Sequence, residues 1–246
     1  ESKIMALPKL NQAPSYELTI PSTGEKLEYR PFLVKEQKIL LMALESQDQK
    51  MIFKAIFDTL NTCVTNNQNL NKLKTFDVEF IFLQMRSKAI GETADLTLKC
   101  LNEECAVDNP IKIPFTGLVP TIDKDITNKI VIGDEYSLNL EYPTFLQVAN
   151  MDYDENKPAG TTASDIFETA LLCLHSLDTE DEKVFFKDES KEEAEEFMGS
   201  LTAQQFESII AFAETIPIIK YDAKIKCPKC NNENEYNLRG MQDFFL

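Results

Sequence analysis

Apolar and polar positions alternate in short bursts along this chain, and a helical period follows each burst. Tyr16 to Leu44 (YELTIPSTGEKLEYRPFLVKEQKILLMAL) reads as two short strands about a Ser-Thr-Gly turn, after which Pro-Phe-Leu opens an apolar helical run. Asn128 to Met151 (NKIVIGDEYSLNLEYPTFLQVANM) repeats the arrangement about Gly-Asp. Three- and four-residue spacing puts Ile52, Ala55, Ile56, Thr59, Leu60 and Cys63 on one helical face, and the same spacing groups Ile166, Ala170, Cys173, Leu174 and Leu177. Thr75 to Cys100 and Thr202 to Cys227 each read as a helix and then a strand ending in Lys-Cys.

These similarities are ordered along the chain. Leu-Glu-Tyr-x-x-Phe-Leu stands at 27–33 and again at 140–146, an offset of 113, whereas the two helix-strand segments align without gaps at an offset of 127. The second half therefore carries a net 14 extra residues, the difference between the offsets, in an interval holding Asp-Glu-Asn-Lys-Pro-Ala-Gly and an acidic stretch. Insertions are tolerated best in exposed loops. The expected organisation is an extended arm over residues 1–15, a first repeat over 16–115, a linker over 116–127, and a second repeat with an acidic insertion over 128–246. The expected fold class is α+β, internally duplicated, with two lobes of β-hairpin plus helices.

Four of the six cysteines stand in pairs at the ends of the predicted strands, as Cys-x4-Cys at Cys100 and Cys105 and Cys-x2-Cys at Cys227 and Cys230. A tetrahedral zinc ion takes four thiolates at about 2.3 Å, and a turn that follows a strand aims two sulfurs at one point. Alternating strands enter and leave each pair, so each reads as a zinc knuckle, and two knuckles make one zinc ribbon joining the lobes. The expected cofactor is a structural Zn(2+) on all four; four thiolates leave no coordination position for water, which favours a structural over a catalytic ion. Disulfides or free thiols compete with this reading, but a reducing cytoplasm opposes disulfides. A redox Cys-x2-Cys would want a helix N-terminus to lower its thiol, whereas Asn231 to Leu238 looks like strand. Cys63 and Cys173 read as buried apolar side chains, and His175 as a packed or surface helix residue with no partner for an acid–base relay.

The chain has a single histidine, seven glycines, no phosphate-cradling glycine loop and no His-Glu-x-x-His, so chemistry has no visible carrier and no enzyme is expected. Its 246 residues, 43% of them hydrophobic, can fill a core. No apolar run approaches the roughly 20 residues that span a bilayer, and the start lacks a secretory pattern, so a cytoplasmic location without a membrane partner is expected. Acidic residues outnumber basic ones 41 to 25, and a net charge of -16 repels phosphate backbones. A nucleic-acid-binding zinc ribbon is the alternative; it would draw on Lys224, Lys226 and Lys229, which Glu103 and Glu104 oppose. Asp178 to Glu196 holds ten acids and three lysines and reads as a solvated helix or loop, or a docking face for a basic partner. The C-terminal GMQDFFL is an apolar tail that either packs back on the body or enters a partner's groove.

LPKLNQAPSYELTIPSTGEKLEYRPFLVKEQKILLMA near the start, with CPKCNNENEYNLRGMQDFF at the end, resembles the T4-type bacteriophage baseplate hub assembly proteins over most of the chain. That family includes a hub subunit and a hub-assembly catalyst, the latter named for assembly and not for covalent chemistry. The resemblance implies a chaperone or scaffold that binds hub or tape-measure proteins in the cytoplasm of an infected bacterium. A hub subunit retained in the virion tail is the other role it implies. It brings no active-site residues; the cysteine assignments rest on spacing and repetition alone.

Overall fold

The computed structural model describes residues 13–123, 125–133, 135–151 and 163–240. Most of the N-terminal arm, the Asp-Glu-Asn-Lys-Pro-Ala-Gly segment and the tail beyond Gly240 lie outside the described residues. The chain opens with an antiparallel hairpin of β1 (Tyr16–Thr19) and β2 (Lys26–Tyr29), which sets Leu18 opposite Leu27. Helices α1 (Val34–Ser46) and α2 (Gln49–Cys63) follow, and the Asp48 carboxylate starts α2 by accepting from the N–H groups of Lys50 and Met51. The end of α2 folds against the hairpin, because Arg30 N–H donates to the Cys63 carbonyl at 2.9 Å and Val64 pairs with Tyr29.

A 3-10 turn at Leu70–Lys72 leads into α3 (Thr75–Ala89). Asp77, fully buried in its first turn, accepts from Ser22 N–H at 2.9 Å, Ser22 hydroxyl at 2.6 Å and Lys74 N–H at 3.0 Å. Burial raises this carboxyl above its usual range, and the three donors oppose that rise. One side chain thus caps a helix and ties it to the first hairpin. The next hairpin is β3 (Thr93–Lys99) with β4 (Asp108–Pro114).

The second half begins with β5 (Lys129–Ile132) and β6 (Tyr136–Leu140), then α4 (Phe145–Ala149) and α5 (Ala163–Leu172). Strands β7 (Leu174–Asp178) and β8 (Lys183–Phe185) add to β5 and β6 to make a four-stranded antiparallel sheet in chain order. Helices α6 (Lys191–Gly199) and α7 (Ala203–Ala213) precede the last hairpin, β9 (Lys220–Lys226) with β10 (Glu233–Arg239). The architecture is mixed α+β with small antiparallel sheets. Hairpin, helices and hairpin occur in that order twice, and β7, β8 and α6 stand where the first half has only its 3-10 turn.

Two local expectations change. Leu174 and Leu177 do not continue the helical face of Ala170; they lie in β7, where Leu177 faces Leu138 of β6. Leu-His-Ser-Leu-Asp satisfies alternation as well as helical spacing, and pairing with the edge of β6 decides between them. His175 accordingly sits on a strand, its Nδ1 2.8 Å from the Glu141 carboxylate, which also receives Lys74 Nζ at 2.6 Å. The acidic stretch is not one solvated helix or loop: it supplies β8, a 3-10 turn and α6, whose start Ser190 and Glu193 close as a capping box.

The core has three parts. Leu27, Leu60, Val78, Ile81 and Met85 centre the first, Leu138, Leu140, Ala170, Ile209 and Phe212 another. The third is shared: Leu83, Ala94, Ile113 and Phe115 pack with Ile219 and Leu238. A second junction between the halves is made by α4, because Phe145, 1% exposed, enters the first cluster with its ring 5.1 Å from Phe53 and 6.2 Å from Phe57. Its N–H donates to the Leu73 carbonyl at 2.9 Å. Beside it Tyr142 stacks on Phe212 at 4.9 Å and meets Phe76 edge-on at 5.8 Å. The halves are therefore held by packing as well as by whatever the cysteines do.

Candidate metal centre

The two ribbon hairpins are built alike. Each pairs seven residues with seven in unbroken register, ending at Lys99 opposite Asp108 and at Lys226 opposite Glu233. The leaving strands bury the same two positions, Asn109 and Ile113 in β4 and Asn234 and Leu238 in β10. Ile113 and Leu238 meet in the shared cluster, and Tyr236 hydroxyl donates to the Lys99 carbonyl, so packing sets the hairpins side by side before any ligand is considered.

Tight turns then aim the sulfurs. In the first knuckle Cys100 N–H donates to Val107 carbonyl at 2.8 Å and Cys105 N–H to Asn102 carbonyl at 2.9 Å, with Ala106 left-handed at a φ of 41°. In the second, Cys227 N–H donates to Asn232 carbonyl and Asn231 N–H to Cys227 carbonyl, both at 2.9 Å, with Asn231 at a φ of 58°. Asparagine tolerates that conformation better than most residues.

The turns bring Cys100, Cys105, Cys227 and Cys230 together, with all four Sγ atoms within 4.8 Å of one another; among the described residues no other such cluster of potential metal ligands occurs. Across the hairpins Cys100 Sγ lies 3.6 Å from Cys230 Sγ, and Cys105 Sγ 3.9 Å from Cys227 Sγ. A tetrahedron with metal–sulfur bonds of about 2.3 Å has edges of about 3.8 Å, whereas a disulfide would draw two sulfurs to about 2.05 Å. All four are free thiols, and the donor set fits a soft tetrahedral cation. Cys100 and Cys227 are buried and Cys105 half-buried, so the site is walled on its inner side.

The electrostatics divide the thiols. Backbone N–H groups act on the Cys227 sulfur, that of Cys230 first and that of Lys229 after it, and against the cost of burial they bring its thiol down to about 6. Burial pushes the Cys100 thiol up. Cys63 and Cys173 are different in kind: burial in apolar surroundings pushes their thiols to about 11 and about 12, which leaves them inert packing groups.

Sequence reasoning missed Asn234. Its Oδ1 accepts Leu101 N–H at 2.9 Å and Asn232 Nδ2 at 2.9 Å and lies 3.5 Å from Cys100 Sγ, while its Nδ2 donates to Ile225 carbonyl at 3.3 Å. It thereby reaches from the second hairpin into the first knuckle. Asn109 holds the corresponding place in β4, yet its Oδ1 has no hydrogen-bond partner among the described residues. The residue after the first cysteine is Leu101 in one knuckle and Pro228 in the other, and proline has no N–H to offer. The available signal was an asparagine at the same position of both leaving strands.

Of the lysines around the second knuckle, Lys224 pairs with Glu235 at 2.6 Å. Among the described residues no helix is long and apolar enough to cross a membrane. A family model described as T4 bacteriophage base plate protein matches residues 13–246. Comparison with the curated proteins and with the solved structures gives no match.

Proposed function

The chain belongs to the T4 bacteriophage base plate protein family, and on that premise we propose that it is an assembly factor for the tail baseplate hub, binding hub or tape-measure proteins, and not an enzyme. The family match carries the assembly reading, and the sulfur geometry supports the structural metal: edges of 3.6 and 3.9 Å between cysteines 130 and 122 residues apart in sequence. When bound there, zinc supplies a four-thiolate crosslink with no open coordination position. Cys100, Cys105, Cys227 and Cys230 would hold it, and Asn234 would fix the first knuckle by engaging Leu101 N–H. The ribbon then keeps the two halves in one geometry, as the meeting point of two inherited repeats, and the protein acts through its surface.

That surface supports binding. α1 carries apolar side chains facing solvent, among them Val34, Ile39 and Met42, each more than half exposed. The net charge of -16 keeps such a protein soluble and suits release of a client, and it weighs against a nucleic-acid role. A client moves toward its assembly-competent state only to the extent that this surface binds that state more tightly.

Affinity capture of the tagged chain from infected cells, read by mass spectrometry, should recover hub or tape-measure proteins; host enzymes without tail proteins would overturn the assembly role. Metal analysis should find about one zinc per chain, and Cys227→Ser should bring it well below one and lower the melting temperature. Unchanged zinc and unchanged melting in that variant would overturn the structural metal.

A further inference from the structure

The four thiols that converge at the ribbon also face one another in two pairs. Cys100 Sγ lies 3.6 Å from Cys230 Sγ and Cys105 Sγ 3.9 Å from Cys227 Sγ, and both contacts cross between the hairpins. Each pair joins a buried sulfur to one nearer the surface, since Cys100 and Cys227 are buried whereas Cys105 and Cys230 are not. A disulfide needs its sulfurs at about 2.05 Å, so each pair closes with a movement of less than about 2 Å.

The neighbouring contacts favour these pairs over others. Tyr236 hydroxyl donates to the Lys99 carbonyl, one residue before Cys100, and Asn234 Oδ1 accepts Leu101 N–H, one residue after it. Ile113 and Leu238 pack in the same shared cluster. None of these contacts involves a sulfur, so they keep the hairpins side by side, and the thiols opposed, whether or not a cation is bound. We propose that the cluster is a reversible redox joint: hydrogen peroxide converts its four thiols into two disulfides, Cys100–Cys230 and Cys105–Cys227, which tie the halves together as the cation is released. Only the release rests on the metal reading of these cysteines; the pairing stands on the sulfur contacts.

The chemistry balances. The outer thiolate of each pair, Cys230 or Cys105, attacks a peroxide oxygen; the O–O bond breaks, the sulfur becomes a sulfenic acid, and the departing hydroxide takes a proton to become water. The buried thiolate facing it then attacks the sulfenic sulfur, forming the S–S bond and expelling a second hydroxide that leaves as water in the same way. Each pair gives two electrons to one peroxide, so two peroxides and four protons yield two disulfides and four waters. A disulfide is no longer a thiolate donor, and a soft cation loses its ligands. Pairing within each knuckle would leave the hairpins without a sulfur crosslink. The crossed bonds instead join positions 130 and 122 residues apart, and crosslinks that close long loops restrain the unfolded chain most.

The test treats the full chain, reconstituted with zinc, with hydrogen peroxide. A chromogenic chelator reads zinc release, and N-ethylmaleimide blocks the remaining thiols. Trypsin with a glutamate-specific protease separates all four cysteines, because Glu103 and Glu104 lie between Cys100 and Cys105 and Lys229 between Cys227 and Cys230. Mass spectrometry of the unreduced digest should find Cys100 joined to Cys230 and Cys105 to Cys227, and dithiothreitol should restore the thiols and zinc uptake. The oxidised chain should melt about 5 °C or more above the reduced, metal-free chain. Disulfides within the knuckles, sulfinic acids as the main product or crosslinks between chains overturn the proposal, as does an oxidised chain that melts no higher than the reduced one. Crossed pairs in a chain that takes up no zinc would support the joint and refute the structural metal; zinc uptake without crossed pairs would do the reverse.

Discussion

Asn234 and Asn109 occupy like positions and do unlike work. Asn234 satisfies Leu101 N–H, Asn232 and Ile225 carbonyl, so its removal strands groups buried beside the cysteines. Leaving a buried donor or acceptor unsatisfied costs about 1–3 kcal/mol. Asn109 gives only an Nδ2 bond to Val107 carbonyl at 3.2 Å, and its Oδ1 already lacks a partner. Asn234→Ala should therefore destabilise by about 1–3 kcal/mol and Asn109→Ala by under about 1 kcal/mol. Urea unfolding of both variants measures the difference, and equal costs would show that the asymmetry at Leu101 and Pro228 has no energetic weight. The cysteines themselves were legible in the sequence because thiol spacing is a local code; the asparagine was not, because its partners come from another hairpin.

At the scale of elements, Phe145 sits in a helix of five residues, too short to be stable by propensity, and its position is set by what its ring enters. Removing a buried phenylalanine costs about 3–5 kcal/mol. Phe145→Ala should lower stability by that amount while leaving the zinc content proposed for the four-cysteine site at its unaltered level; a parallel loss of metal would mean that the packing junction and that site are one unit. The hairpins β1–β2, β3–β4, β5–β6 and β9–β10 were legible from period-two alternation, and α2 from the spacing that buries Ala55, Ile56, Leu60 and Cys63. The change from α5 to β7 was not, since Leu174 and Leu177 fit either period and only the partner strand chooses. Nor could sequence show that Phe145 serves the other half's core, because an inward phenylalanine has the same pattern whichever core receives it.

For the whole molecule, packing joins the halves at Phe145 and Tyr142 and in the cluster shared by the two cysteine hairpins, and the four sulfurs add a candidate metal site between those hairpins. Stripping metal with a strong chelator should raise hydrogen exchange in the knuckle turns and adjoining ends of β3, β4, β9 and β10, while α2 and α3 keep their protection. Uniform loss of protection would mean that the packing cannot stand without the ion. The four cysteines were visible as two spaced pairs along the chain, but the sharing of one core between hairpins is a product of folding and has no local signature. Cys105 and Cys227 are 122 residues apart, yet their sulfurs stand 3.9 Å from each other. At about 5–20 residues per second on the ribosome, the interval between these two cysteines is about 6–24 s of translation. Until the ribosome has passed Cys227 the cluster is missing half of its donors, so it can form only after both hairpins have begun to emerge.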